Sequence, residues 1–259
     1  MEKNLIQVKS FGWARPETLY SEDVSLSFDT TQHSKSSKIK VLVQVEPSEI
    51  IDIKNIIINE QNNFDLILAW DENILNSCSN AKKFIFGSCW IDFKTFKENK
   101  KNEISFISSN KRQTTGHQFR HQILSKYSNI ENINGFSFKK IYTPPRIENK
   151  NILFENAKFH VVVENTSKTN WITEKIIDCF ATKTIPIYYG CPNIGEFFNE
   201  KGVLKFNTLE ELDNILNTIT PEIYDNLEEV INENYEKSKE YFDFHERLKR
   251  EIENYIDCL

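Results

Sequence analysis

The chain has 259 residues, of which 39% are apolar and 27% charged, with a net charge of −6. That length buries a core in one large or two small domains without a metal or disulfide staple, and the acidic balance lacks the basic footprint of a duplex nucleic-acid binder. Glycine is scarce, 7 residues in all against a usual ~7%, and neither G-x-G-x-x-G nor G-x-x-x-x-G-K-[ST] occurs, which removes both glycine-rich phosphate cradles.

Residues 1–38 are polar, and few regular elements are expected there. The β-branched run 39–45 predicts a strand closed by Glu46-Pro47. Ile50, Ile53 and Ile57 recur at helical spacing over 48–59. Residues 64–70 predict a second strand with Asp71 and Glu72 at its exit, 71–75 a helical turn, and 83–86 a third strand ended by Gly87. After a polar stretch at 94–102, 104–108 predicts a strand. Thr114 or Thr115 can cap a helix over 116–127. Residues 138–145 look like a loop ended by Pro144-Pro145, and 149–156 like a short helix. Residues 159–163 form an apolar run of the fully buried type. A helix over 173–181 and a strand over 184–189 follow, completing a βαβ unit with a parallel sheet. The tail from Leu209 is helical, and Tyr241, Phe244, Leu248, Ile252 and Tyr255 mark a packing face. No internal repeat is present.

No apolar run of 18 residues occurs, so no transmembrane segment is expected. Residues 1–20 lack the apolar core of a signal peptide. The five cysteines are scattered without C-x-x-C and read as reduced thiols, which points to a cytoplasmic protein with no metal site.

The densest segment is FHVVVENTSKTNWITEKIIDCFATKTIPIYYG, residues 159–190. A buried strand delivers Glu164 and Asn165 to its carboxyl end, and Thr173-Glu174-Lys175 opens the next helix. Open α/β sheets bind ligands beyond the carboxyl ends of their strands. Free N–H groups at a helix N-terminus favour an anion, whereas Lys175 there opposes the dipole. A bound phosphate reconciles the two, and Glu174 can accept from a ribose diol. The same spacing also suits a capping turn with a solvated Glu-Lys pair.

This segment resembles the donor-binding motif of the glycosyltransferase family 10 fucosyltransferases. That pattern runs Phe-Glu-Asn, a short loop, an aromatic, a β-branched residue and Thr-Glu-Lys. Here the chain reads Val163-Glu164-Asn165, then Trp171-Ile172-Thr173-Glu174-Lys175. Residues 185–192 resemble the family's "IPIYWGSP" strand and turn. Upstream, 104–124 resembles its "FVVSN" strand and helix, where an arginine contacts the donor diphosphate. That position falls on His117, and Arg120 lies one turn later on the same helical face. Arg112 is a second candidate. His117 also suits a surface or capping histidine. Further upstream, 41–47 resembles the strand ending in "LEP", whose glutamate is the proposed catalytic base, and 86–90 resembles "PYGW". Glu46 takes that position, and it also suits an exposed loop carboxylate.

The resemblance implies an α/β fold of the GT-B type, with two facing Rossmann-like domains and the N-terminal one reduced. The expected division is 1–102 for the acceptor side, 103–235 for the donor nucleotide, and 236–259 for a helix packing on the body. It implies inverting transfer of L-fucose from GDP-fucose to a glycan hydroxyl, with no tightly bound cofactor, while the abundance of Asn, Lys and Ile points to an AT-rich genome, which could be bacterial or viral. In that scheme Glu46 is the base, with Asp71 and Glu72 as alternatives. Lys175, Arg120 and His117 face the diphosphate, Thr173 is among the donor-binding residues, Glu174 holds the ribose, Asn165 binds phosphate or sugar, and Trp171 packs on the donor. No D-x-D motif occurs, so no metal is invoked. The alternatives are a glycosyltransferase of the same fold using another nucleotide sugar, and a non-catalytic glycan- or nucleotide-binding module.

Overall fold

A computed structural model describes residues 22–143 and 147–259, together with the backbone of three short strands before them. Two units divide the chain, each built round its own sheet. The first comprises Met1–Phe86, Thr169–Trp171 and Asp243–Leu259, and the second Gly87–Lys168 and Ile172–Phe242.

The first unit opens with β1 (Ile6–Gln7), β2 (Lys9–Phe11) and β3 (Leu19–Tyr20), where β1 and β3 pair antiparallel. Next come β4 (Val24–Phe28), β5 (Ile39–Val43), α1 (Lys54–Asn59), β6 (Leu66–Ala69), α2 (Glu72–Ser77) and β7 (Ala81–Lys83). The sheet runs β2-β4-β5-β6-β7, parallel throughout. Successive side chains of a strand point to opposite faces, and β5 shows both faces covered. Val41 and Val43 join Leu26 and Leu68 in one core, while Leu42 joins Ile57 of α1 and Ile74 of α2 in the other.

The second unit contains β8 (Lys101–Ser109), α3 (Thr115–Lys126), β9 (Asn132–Ile133), β10 (Phe136–Thr143), β11 (Ala157–Val163), α4 (Glu174–Ala181), β12 (Ile185–Tyr189) and β13 (Leu204–Lys205). It closes with α5 (Leu209–Thr218), α6 (Pro221–Asn226) and α7 (Glu228–Ser238). Its sheet order is β13-β12-β11-β8-β10-β9. All neighbours are parallel except the β9–β10 hairpin. From β8 the chain moves outward to β10, then returns to lay β11 on the other side of β8. The order therefore reverses between β8 and β11, and the carboxyl ends of such a pair bound the crevice where open α/β sheets bind ligands. Last, α8 (Phe244–Asp257) returns to the first unit, where Phe244, Leu248 and Ile252 cover the Val41–Val43 face.

Several expectations are corrected. Residues 24–28 form a fully buried strand inside the stretch expected to be irregular. The helix expected over 48–59 shrinks to α1, because 47–51 turn on the Pro47 carbonyl. Expected strand 83–86 is displaced to β7, and Phe84 only hands its N–H to Ala69. Residues 138–143 belong to β10 and not to a loop, while Pro144 and Pro145 lie outside the described residues. The missed signal is Asn134-Gly135, both at positive φ (48° and 81°), a pair that favours hairpin turns. A 3₁₀ turn at Lys150–Leu153 replaces the helix expected over 149–156. The division between units falls at Phe86/Gly87 and not at 102/103, and 243–259 belong to the first unit because the stripe of α8 meets that sheet. Among the described residues no helix is long and apolar enough to cross a membrane.

Candidate active site

The residues singled out around 164–175 converge where the second sheet reverses its order. Strand β11 ends at Val163 and places Glu164, fully buried, directly beyond it. The Glu164 N–H donates to the Tyr189 carbonyl at 2.8 Å, which fixes the backbone at the carboxyl end of the strand. The side chain then meets the start of α4. Thr173 Oγ1 lies 2.9 and 2.7 Å from the two carboxylate oxygens, and the Thr173 N–H donates at 3.3 Å. Thr173 is also the N-cap of α4, its hydroxyl accepting from the Lys175 N–H. That use of a threonine satisfies a helix donor that has no intrahelical partner.

Lys175 turns its ammonium back over this cap. Nζ is 3.4 Å from Glu164 Oε2, 3.2 Å from Glu174 Oε1 and 3.2 Å from Thr173 Oγ1. A cation in the first turn of a helix is unfavourable alone, and the two carboxylates offset it. Burial pushes the Glu164 carboxyl above its ordinary range, against the pull of Lys175. Burial acts in the same sense on Glu174, but Lys175 and then Lys150 outweigh it and hold that carboxyl at about 2.

Helix α3 supplies the opposite wall. Its Gly116 N–H donates 2.9 Å to the Asn165 carbonyl. A Cβ at 116 would lie 1.8 Å from the Glu164 carbonyl oxygen, so the helix approaches backbone to backbone only because residue 116 has no side chain. Gly190 is constrained likewise, since a Cβ there would meet the Tyr188 hydroxyl at 2.3 Å and Glu164 Cγ at 2.6 Å. Thr114 caps α3 in a reciprocal capping box with His117. The His117 Nδ1 accepts from the Thr114 N–H at 3.2 Å and lies 2.7 Å from its hydroxyl, so Nε2 carries the proton. Burial and then Arg120 hold His117 down at about 4, leaving the ring neutral near pH 7. Arg120 is buried, donating to the Val163 carbonyl at 2.5 Å and to Asn165 Oδ1 at 2.8 Å.

A family model described as glycosyltransferase family 10 (fucosyltransferase) C-term matches residues 97–255. The chain belongs to glycosyltransferase family 10. This family 10 chain is 29% identical over 120 residues to the alpha-(1,3)-fucosyltransferase FucT of Helicobacter pylori, a match covering 46% of the chain and 24% of the relative. The chain thus spans about a quarter of the length of the curated relative it matches. An alpha1,3-fucosyltransferase solved with GDP-fucose superposes with a TM-score of 0.53 at 17% identity, over 90% of this chain and 77% of the other. TarM superposes with a TM-score of 0.52 at 13% identity, over 90% and 54%. At these identities the likeness shows the fold alone, an α/β fold of the GT-B type whose two units are Rossmann-like.

Asn165, Thr173, Glu174, Lys175, His117 and Arg120 of the family 10 chain therefore gather in the second unit, with two corrections. Arg120 does not present a free guanidinium, because two of its nitrogens are bound to Val163 and Asn165. Trp171 lies in the first unit, 2% exposed and tilted against Trp70, and is not laid open for a ligand. The indole N–H groups of Trp171 and Trp70 both donate to the Val45 carbonyl at 3.0 Å. Glu46, Asp71 and Glu72 also lie in the first unit. Asp29, at positive φ, accepts from the Val45 and Glu46 N–H groups and so fixes the exit of β5. Asp71 is spent as the N-cap of α2, and Glu72 Oε1 accepts from Asn170 at 3.4 Å. Sequence reasoning missed Lys150, whose ammonium pairs with Asp178 and lies 4.0 Å from Glu174. Nothing in the local pattern around 150 signals that partnership.

Proposed function

We propose that this protein is an inverting glycosyltransferase that transfers L-fucose from GDP-fucose to a glycan hydroxyl. The observation that carries the reading is the Lys175 ammonium held over the N-terminus of α4 by Glu164, Glu174 and Thr173. Such a terminus with a cation beside it suits a diphosphate, which gains both the helix N–H groups and the ammonium. Family membership supports sugar transfer, and the fold neighbour solved with GDP-fucose supports that donor.

In this reading Lys175 and the helix terminus stabilise the negative charge that builds on the departing diphosphate as the bond to the sugar breaks. The ionised Glu174 accepts from the ribose hydroxyls. Arg120 acts through Asn165, fixing its amide so that the NH₂ group is free to donate to phosphate or sugar. His117 offers a neutral Nε2–H. Glu46 takes the acceptor proton as the hydroxyl oxygen attacks, giving inversion at the anomeric carbon. Calorimetry with GDP-fucose and a panel of other nucleotide sugars tests the donor, and binding only to the others would refute fucose. A Glu46→Gln variant tests the base: donor still binds and turnover is lost, while unchanged turnover removes Glu46 from the role.

One observation favours a second reading, a different nucleotide sugar. Arg120 is committed to Val163 and Asn165, and His117 is neutral, so this diphosphate site is poorer in charge than the arginine-bearing family pattern. The same panel separates the two.

A further inference from the structure

Helix α4 carries two buried acids four residues apart, Glu174 and Asp178, which share one helix face. Two like charges at that spacing repel, more strongly away from water. A single cation from a different element stands between them. Lys150, at the start of the 3₁₀ turn Lys150–Leu153, pairs with Asp178 and lies 4.0 Å from Glu174 Oε1, with its side chain 14% exposed. The Trp90 ring covers the ammonium at 5.0 Å. Trp90 is held in turn, its backbone N–H donating 2.7 Å to Asp178 Oδ1, although 60% of the residue is exposed. The assembly is closed: Asp178 anchors Trp90 and Lys150, Trp90 shields Lys150, and Lys150 reaches Glu174.

We infer that Lys150 is a positioning residue of the donor site, holding the Glu174 carboxylate ionised and aimed so that it can accept from a ligand diol. This rests on the nucleotide-sugar reading above and names a residue which that reading does not contain. Lys175 cannot serve alone, because its ammonium is shared with Glu164 and Thr173. If Lys150 is removed, Glu174 faces Asp178 on its own helix and Glu164 beyond β11, with Lys175 and the more distant Arg120 as its cationic neighbours. It then takes up a proton more readily and accepts hydrogen bonds less well.

The test uses the full chain with Lys150→Met/Asp178→Asn, which removes cation and anion together so that no lone charge stays buried, and keeps the Oδ1 acceptor for Trp90. The Glu174 carboxyl is titrated by carbon-13 NMR, assigned with Glu174→Gln. Its midpoint lies about one unit or more higher in the double variant than in Asp178→Asn alone, the comparison that isolates the ammonium, and GDP affinity is about tenfold weaker. Lys150→Arg with Asp178 intact keeps both at the parent's values. Equal midpoints in the folded double and single variants overturn the proposal, as does a raised midpoint with GDP affinity unchanged. If the parent protein binds no GDP, the nucleotide reading is what fails, and the midpoint still decides whether Lys150 holds Glu174.

Discussion

Replacing Lys175 by Met keeps the aliphatic stem and removes the ammonium, and its effect can be worked from the contacts. Three are lost, to Thr173 Oγ1 and Glu174 Oε1 at 3.2 Å and to Glu164 Oε2 at 3.4 Å. Leaving a buried carboxylate unpaired costs about 3–5 kcal/mol. Glu164 has a way to reduce that cost, because burial already pushes its carboxyl up and the protonated form is within reach. For an acid whose folded pKa exceeds its unfolded one, the folded state binds more protons, so stability falls as pH rises. The variant is therefore weakest near pH 8 and close to the parent below pH about 4.5. Ligand binding is affected separately. A charged hydrogen bond to phosphate is worth about 1.5–3 kcal/mol, which is about tenfold to a hundredfold in Kd. Urea unfolding against pH and calorimetry with GDP measure the two effects. Adding Glu164→Gln recovers the stability at pH 8 and leaves GDP binding weak. Binding within about threefold of the parent in a folded Lys175→Met protein would refute the diphosphate role, and recovery of binding in the double variant would reduce Lys175 to a structural partner of Glu164.

Glu174→Gln should flatten acid sensitivity: the carboxyl lies at about 2 in the folded protein, so the stability it contributes is present above its unfolded value near 4.5 and is lost as pH falls toward 2. The amount is about 3 kcal/mol in urea unfolding, and identical acid profiles for parent and variant would refute it. GDP affinity should be flat between pH 5 and 8 as far as His117 is concerned, since burial and Arg120 keep it neutral there; a rise in affinity on acidification through 6.5, abolished by His117→Gln, would contradict this. Arg120→Met frees the Asn165 side chain, so donor affinity falls although no ligand contact is removed, and calorimetry on the folded variant reads it. Trp171→Phe deletes one of two indole donors to Val45, costing about 1 kcal/mol in unfolding stability, with the carbonyl still served by Trp70.

The legible parts of the sequence were those where one residue class dominates a window. β5 (IKVLV), β6 (LILA) and β11 (AKFHVVV) are dominated by apolar residues and buried on both faces, and they lie where the strands over 39–45, 64–70 and 159–163 are expected. β4 is buried just as fully but reads Val-Ser-Leu-Ser-Phe, and Ser25 and Ser27 look like loop residues until their partners are known. Ser27 donates to the Gln32 carbonyl and Ser25 accepts from the Ser34 N–H, both supplied by the connection that follows. At the site, the family resemblance, more than spacing, named His117, Arg120 and the 173–175 run together, and all of them fall in the second unit. It could not foretell which acceptor a buried guanidinium would choose, and for Arg120 a carbonyl at the end of β11 won. Trp171 exposes a similar limit, because a motif position does not reveal which of two units will bury the ring. Lys150 lies more than twenty residues before its partners in the chain and is tied to them only by the folded geometry.

Glycine scarcity was first a reason to set aside phosphate cradles. The folded protein adds a mutational consequence. Two of its seven glycines, Gly116 and Gly190, abut Glu164 where a methyl group has no room, while at Gly135 a Cβ meets only open space and the obstacle is backbone conformation alone. In a library of single substitutions selected only for folding, positions 116 and 190 would be depleted even of alanine, as would Gly87, where a Cβ meets the Tyr241 ring at 2.4 Å, so that two of the depleted positions mark the packing round Glu164 without any ligand being offered.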